Sequence, residues 1–146
     1  MNLLWEQFVY ASLRKHSSPN ITVTAQHSRH FWKPETGYTS SLCPDIVMNI
    51  GQSDCIILDT KWKNLDGYKP QVDDLRQMYV YQSYYQAKKV ALVYPGTDPQ
   101  QKGVFYDTQQ PNTLSSNECS LLPLAFETDT LKWQKTIYTQ INEWIA

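Results

Sequence analysis

Apolar positions along the chain follow two periods, that of helices and that of strands. Leu4, Phe8 and Ala11 lie on one helical stripe and predict a first helix over residues 2–15. Runs of apolar and β-branched residues predict buried strands over residues 21–27, 44–50, 55–63 and 89–95. The segment 28–41 contains proline and glycine, and it is predicted to be a long loop or an extension of the preceding strand.

Two more helices are predicted in the second half of the chain. Residues 72–86 contain neither glycine nor proline, and their apolar stripe consists of Leu75, Met78, Tyr79 and Tyr85. A closing amphipathic helix begins near Asp129, with an apolar stripe of Trp133, Ile137, Ile141 and Trp144. Weaker strands are predicted near 103–107 and 120–126. This order predicts an α/β fold in which a mixed sheet is flanked by helices (an αβββαβ core), with a C-terminal amphipathic helix.

Length and composition narrow the class of protein. A chain of 146 residues, 41% of them hydrophobic, suits one globular domain over residues 1–146. No apolar stretch approaches roughly 20 residues, so we expect a cytoplasmic protein that does not enter a membrane. The three cysteines are odd in number and far apart, which fits neither a disulfide framework nor a zinc knuckle. With a net charge of −1, any DNA affinity must come from a local patch or a partner.

The strand predicted over residues 55–63 combines an apolar run with two charges. Residues two apart in a strand share a face, so Asp59 and Lys61 emerge on the same side as Ile57. Burying either charge without a partner is costly, so the pair requires a salt bridge, a metal or a substrate. A plain structural ion pair and a functional site explain this strand equally well.

The register of the neighbouring strand decides whether Asp45 joins this pair. Pro44 cannot donate a hydrogen bond to a sheet, so Asp45 lies at a strand start or a bend. If the turn comprises residues 51–53, Asp45 lies opposite Asp59, and directly opposed residues share a face. A shift of one residue would turn Asp45 away. The first register is predicted because it stacks the apolar residues Ile46, Met48 and Ile50 with Leu58 and Ile56.

The carboxylates of Asp45 and Asp59 would repel each other in this register unless a cation lies between them. Oxygen ligands of this type suit Mg²⁺, with Mn²⁺ as a possible substitute. A divalent ion would polarise a phosphate and lower the pKa of a bound water, while Lys61 orients that water or stabilises the developing charge. Phosphodiester hydrolysis is the reaction that such a site suits.

A proline-aspartate pair followed at hairpin spacing by an Asp-x-Lys motif resembles the signature of the PD-(D/E)xK nucleases, carried here by Pro44, Asp45, Asp59 and Lys61. The resemblance implies a restriction-endonuclease-like sheet.

Three further residues sharpen this resemblance. Gln77 and Tyr81 are four apart, share a helix face and resemble the QxxxY spacing of the RecB-like branch. Glu6 adds a carboxylate from the first helix. Simpler explanations remain open for two of them, since carboxylates are favoured near helix N-termini and a tyrosine is often a core aromatic.

The segments LCPDIV, ILDTKWK and DLRQMYVY are similar to the nuclease domain of the McrC family, the cleaving subunits of modified-cytosine restriction systems. The resemblance covers roughly residues 3 to 95. It implies that the catalytic residues are Glu6, Asp45, Asp59, Lys61, Gln77 and Tyr81. It also implies a metal held by Asp45, Asp59, Glu6 and the backbone carbonyl of Thr60.

The same resemblance implies an activity and partners. The activity is metal-dependent endonucleolytic cleavage of DNA, and the partners are DNA and a McrB-like GTPase, or a second copy of the chain in a stand-alone relative. The chain departs from the pattern at Cys43, where a basic residue is expected. It also lacks the family's N-terminal partner-binding region, as a fragment of a longer protein would. Two alternatives stay open: a RecB-like repair or exonuclease domain, and a non-catalytic scaffold that binds DNA or a GTPase.

Residues 28–33 are the best candidate for DNA contact, because they mix cationic and aromatic side chains. Arg29 and Lys33 suit phosphate contacts, while Phe31 and Trp32 suit stacking on a base. An ordinary exposed loop with a partly buried tryptophan explains the same segment. Further candidates for phosphate contact are Lys63 and Lys69.

Overall fold

The computed structural model describes residues 2–62 and 69–146 of the chain. Three helices span Asn2–His16 (α1), Val72–Tyr85 (α2) and Thr130–Ile145 (α3), which confirms all three predicted helices. The carboxylate of Asp129 caps α3 by accepting hydrogen bonds from the amides of Leu131 and Lys132. Within the described part of the chain, no helix combines the length and apolar character needed to cross a bilayer.

Eight strands complete the fold. They are Val23–Ala25 (β1), Arg29–Trp32 (β2), Ser40–Leu42 (β3), Ile46–Met48 (β4), Ile56–Thr60 (β5), Lys89–Pro95 (β6), Val104–Tyr106 (β7) and Leu114–Leu124 (β8). Six form one sheet in the order β1-β4-β5-β6-β8-β7, and β2 and β3 form a separate hairpin. The pairs β5–β6 and β6–β8 are parallel and the other pairs are antiparallel. The expected mixed sheet flanked by helices is confirmed.

Helices cover both faces of the sheet, and the alternation along β5 sorts its side chains between them. Ile56 and Leu58 pack in a core cluster with α1 and α3. Ile57 packs in a second cluster with α2, and Asp59 follows it on the same face at the end of the strand. Burial of both faces explains why the central strands are continuous apolar runs.

The register of β4 against β5 agrees with the prediction for Ile46 and Met48, but not for Ile50, which packs in the second cluster beneath α2. Ile46 lies opposite Leu58 and Met48 lies opposite Ile56, so Asp45 continues the series opposite Asp59. The connection is longer than a three-residue turn, because the strands stop at Met48 and resume at Ile56.

The predicted apolar stripe of α1 is wrong by one helical position. The buried face consists of Trp5, Val9, Ser12 and Leu13, while Leu4 is 63% exposed. The indole Nε1 of Trp5 donates to the Val93 carbonyl at 3.2 Å, and this contact turns the tryptophan inward. Phe8 keeps a partly buried place against Trp133, with ring centroids 4.4 Å apart.

The segment 28–41 also differs from the prediction. It is neither a loop nor an extension of β1, but forms the antiparallel hairpin of β2 and β3. Every residue of β2 is exposed, so the hydrophobic alternation that signals a buried strand is missing from its sequence.

Replacing Trp5 by Phe should lower the free energy of unfolding by about 1–2 kcal/mol, because it removes a buried hydrogen bond and some packing. Truncation to Ala should cost about 3–5 kcal/mol, since a cavity is added. Urea denaturation measures both. Trp32→Phe is the control: Trp32 is 59% exposed and should change stability by less than about 0.5 kcal/mol. Equal stabilities of Trp5→Phe and the parent chain would contradict the assigned role.

Candidate active site

The end of β5 opens into a cavity of about 600 Å³ between the first turns of α1, the ends of β1, β4 and β5, and helix α2. All six residues predicted to be catalytic contribute to its wall: Glu6, Asp45, Asp59, Lys61, Gln77 and Tyr81. Thr60 lines it as well. Residues separated by up to 75 positions along the chain therefore meet at one place. Other residues lining it include Asn2, Gln7, Tyr10, Gln26 and Cys43.

Asp45 reaches across the sheet edge to the end of β5. Its Oδ2 accepts hydrogen bonds from the Thr60 amide at 2.8 Å and the Thr60 hydroxyl at 2.9 Å. Its carboxyl also contacts those of Glu6 and Asp59. Three acidic groups thus meet at this place, with Asp45 between Glu6 and Asp59.

Asp59 is only 4% exposed, although it is a charged residue. Burial, followed by the neighbouring Asp45 carboxylate, raises its pKa to about 6, and Lys61 only partly offsets this. The Lys61 ammonium lies 3.0 Å from Asp59 Oδ2. That distance makes an ion pair, but the geometry is not that of a hydrogen bond, and Oδ2 accepts none from the residues the structure describes. The buried oxygen is therefore incompletely satisfied.

Lys61 is held between two carboxylates. Its Nζ lies 3.3 Å from Asp74 Oδ1 in addition to its contact with Asp59. Burial alone would lower the pKa of Lys61, but these two carboxylates outweigh it and raise the pKa, so the ammonium stays charged. The backbone is fixed as well, since the Lys61 amide donates to the Val93 carbonyl at 2.8 Å.

Asp74 is a site residue that the sequence reasoning missed. It precedes Gln77 by three positions on α2, and residues three apart share a helix face. This spacing could have identified Asp74, because the QxxxY pattern already predicts that this face of α2 lies toward the site.

Glu6 is held by a second residue that was missed, Gln26. The Gln26 side-chain amide donates to Glu6 Oε2 at 2.7 Å, and the Gln26 backbone amide donates to the Asp45 carbonyl at 3.0 Å. Gln26 adopts a left-handed conformation (φ +53°), which a non-glycine residue rarely takes. Burial and then Asp45 raise the pKa of Glu6 to about 7, and Gln26 opposes the shift.

Gln77 and Tyr81 form a hydrogen-bonded pair on α2. The Gln77 amide Nε2 donates to the Tyr81 hydroxyl at 3.0 Å. Tyr81 is 4% exposed and packs in the core cluster beneath α2, so the simpler explanation of a core aromatic holds for its ring. Burial, and then Asp59 and Asp45, raise the pKa of its hydroxyl, which stays protonated at the wall of the cavity.

Three of the predicted DNA contacts, Arg29, Lys33 and Lys69, lie outside the cavity wall. The Arg29 guanidinium donates to the Tyr84 carbonyl and lies 4.8 Å from the centre of the Tyr85 ring, so it is already engaged by α2. Lys33 and Lys69 are exposed. Lys63 lies outside the described residues.

The acidic groups are not arranged as a finished metal site. Among residues 2–62 and 69–146, no group of three or more His, Cys, Asp or Glu side chains is poised to hold an ion. Asp45 is engaged by Thr60 and Asp59 by Lys61, so the carboxylates point to protein partners.

The family of the chain is shown by comparison with known proteins. A family model described as "McrBC 5-methylcytosine restriction system component" matches residues 1–95. The chain belongs to this family. Among curated protein sequences, none matches the chain.

One solved structure supports the fold of this chain. One chain of the refined half-complex of Thermococcus gammatolerans McrB AAA+ hexamers with bound McrC is similar over 99% of this chain, with a TM-score of 0.72 and 22% identity. This chain spans about a third (33%) of the length of that one. A crystal structure of a protein named SSO0001 aligns over 97% of this chain and 58% of its own, with 15% identity and a TM-score of 0.49.

The raised pKa values predict how metal-free stability depends on pH. Glu6 and Asp59 titrate at about 7 and about 6 when folded, above their ordinary values of 4.5 and 3.8, so the folded chain binds more protons in this window. Their contribution to stability therefore falls as pH rises from about 4 to about 7. Thermal melts in chelator should show a steeper loss over this range for the parent chain than for Asp59→Asn. The exposed Asp73→Asn is the control, and equal slopes for parent and Asp59→Asn would contradict the assignment.

Proposed function

We propose that the chain is the metal-dependent endodeoxyribonuclease domain of a modification-dependent restriction system. The observation that carries the proposal is the convergence of Glu6, Asp45, Asp59 and Lys61 in one cavity at the end of a buried strand. A scaffold has no physical need to hold three carboxyls against one another, where burial and then the neighbouring Asp45 carboxylate raise the pKa values of Glu6 and Asp59.

The residues present fit a divalent cation. Among the described residues, no group makes a well-aligned hydrogen bond to the buried Asp59 Oδ2, although the Lys61 ammonium lies 3.0 Å away. The possible metal ligands around it are carboxylate and carbonyl oxygens, which Mg²⁺ and Mn²⁺ prefer. Asp45 and Asp59 would hold the ion, with Glu6 and the Thr60 carbonyl as further ligands. When bound, the ion supplies Lewis-acid polarisation of the phosphate and a more acidic water.

The side chains of this chain supply the rest of the chemistry. Hydrolysis requires a water to attack phosphorus while the bond to the leaving oxygen breaks. Lys61, charged and held by Asp59 and Asp74, donates to the attacking water or to a phosphate oxygen that gains charge. The hydrogen-bonded pair of Gln77 and Tyr81 lines the α2 side of the cavity.

A partner is part of the proposal. The structural relative from Thermococcus gammatolerans is titled as McrC bound to McrB AAA+ hexamers, which supports a McrB-like GTPase as partner of this chain. With a net charge of −1, the chain has little charge of its own to retain DNA, and a partner or a second copy would deliver it.

Asp59→Asn and Lys61→Ala should each reduce Mg²⁺-dependent cleavage of plasmid DNA by roughly a hundredfold or more, because each removes a member of a cooperating site. Neither should unfold the chain, and Asp59→Asn relieves repulsion. Asp73→Asn and Lys135→Ala alter exposed residues of the same types and should cleave normally. Near-parental cleavage by purified Asp59→Asn would refute the catalytic assignment.

Metal addition separates an active nuclease from a scaffold with the same fold. Ligands that bind only the folded state stabilise it, by about 2.7 kcal/mol at a concentration one hundred times Kd. Mg²⁺ or Mn²⁺ should therefore raise the melting temperature of the parent chain and of Asp73→Asn, but not of Asp45→Asn or Asp59→Asn. No shift in the parent chain would favour the scaffold.

A further inference from the structure

The β2–β3 hairpin (residues 29–42) grows out of the wall of the candidate active site. Its first strand begins three residues after Gln26 and its second ends directly before Cys43, and both of these residues line the cavity. The hairpin belongs to its own two-stranded sheet. A molecule that contacts the hairpin therefore lies next to the carboxyl groups of Glu6, Asp45 and Asp59.

The base of the hairpin is fixed to α2. Arg29 donates to the Tyr84 carbonyl and stacks over the Tyr85 ring, and its partner across the hairpin, Leu42, packs against the core beneath α2. Arg29 thus acts as an anchor. A fixed base means that the outer part of the hairpin has a defined position relative to the cavity.

A β-bulge interrupts the hairpin at Phe31. His30 pairs with Ser41 and Trp32 pairs with Ser40, so Phe31 is the extra residue on its strand. Its ring meets Tyr84 edge-on, with centroids 5.2 Å apart. Bulges re-aim side chains and are frequent beside active sites. Without the bulge, successive side chains would alternate strictly, so Phe31 and Trp32 would lie on opposite faces of the strand.

The outer part of the hairpin exposes large aromatic side chains. Phe31 is 44% exposed, Trp32 59% and Tyr38 97%. Such exposure on one small element is unfavourable in water and marks a contact surface. The hairpin carries two cationic residues, Arg29 at its base and Lys33 in its outer part, and one anionic residue, Glu35.

We propose that the β2–β3 hairpin stacks its aromatic side chains on unpaired or unstacked bases of the DNA that is cleaved in the adjacent cavity. This rests on the proposed nuclease function. Cationic and aromatic residues together suit a nucleic acid strand. Paired bases present only their edges in the grooves, so exposed rings such as Trp32 and Tyr38 gain full stacking only on bases that have left the helix.

The proposal is tested by binding measured apart from cleavage. All variants carry Asp59→Asn, and fluorescence anisotropy follows a labelled single strand, its duplex, and that duplex with a central unpaired bubble. Trp32→Ala and Tyr38→Ala should each weaken binding to the single strand and the bubble by roughly tenfold, and binding to the duplex far less. Tyr106→Ala, 64% exposed on β7 at the far edge of the sheet, is the matched control.

Equal losses on all three DNAs, or no loss on any, would overturn the proposal. Normal DNA binding by hairpin variants that no longer bind a GTPase partner would overturn it as well, in favour of a protein interface. Cleavage by the chain with Asp59 restored is scored separately. A chain that binds through the hairpin but never cleaves would refute the nuclease proposal and leave the hairpin contact standing.

Discussion

The register between β4 and β5 is the constraint on which the site depends. Side chains alternate across a sheet with a period of two, so a slip by one residue would send Asp45 to the face of α1 and α3 and exchange the apolar residues of β4 between the two core clusters. The pairing of Ile46 with Leu58 prevents this slip, since burial on both faces penalises every alternative. Hydrophobic packing thereby holds two carboxylates together that would otherwise separate.

The repulsion is contained by neighbours that each serve two elements. The Val93 carbonyl accepts from both Trp5 Nε1 and the Lys61 amide, which ties α1 and the end of β5 to β6. Gln26 holds the Glu6 side chain and the backbone of Asp45 at once. A charged cluster that would destabilise an isolated strand pair is thus held in place by the packing of helices on both faces of a mixed sheet.

Sequence patterns predicted what depends on local period and spacing. The helices, the central strands and the meeting of Asp45 with Asp59 follow from apolar alternation over several residues. Patterns failed at α1, where one tertiary contact, that of the Trp5 indole, sets which side of the helix is buried. They also failed at β2, because a fully exposed strand lacks the apolar alternation by which strands are predicted. Asp74 was missed because an acidic residue in a first helical turn has an ordinary local explanation.

The hairpin is inserted between two strands that pair directly with each other. Val23 faces Met48 and Ala25 faces Ile46, and the bond from the Gln26 amide to the Asp45 carbonyl closes the neck of the insertion. The cost of closing a loop grows only slowly with its length. Related proteins can therefore carry a longer, shorter or different segment in place of the hairpin without a change in the strands of the sheet. Such proteins can differ in the molecules that they bind and keep the same chemistry.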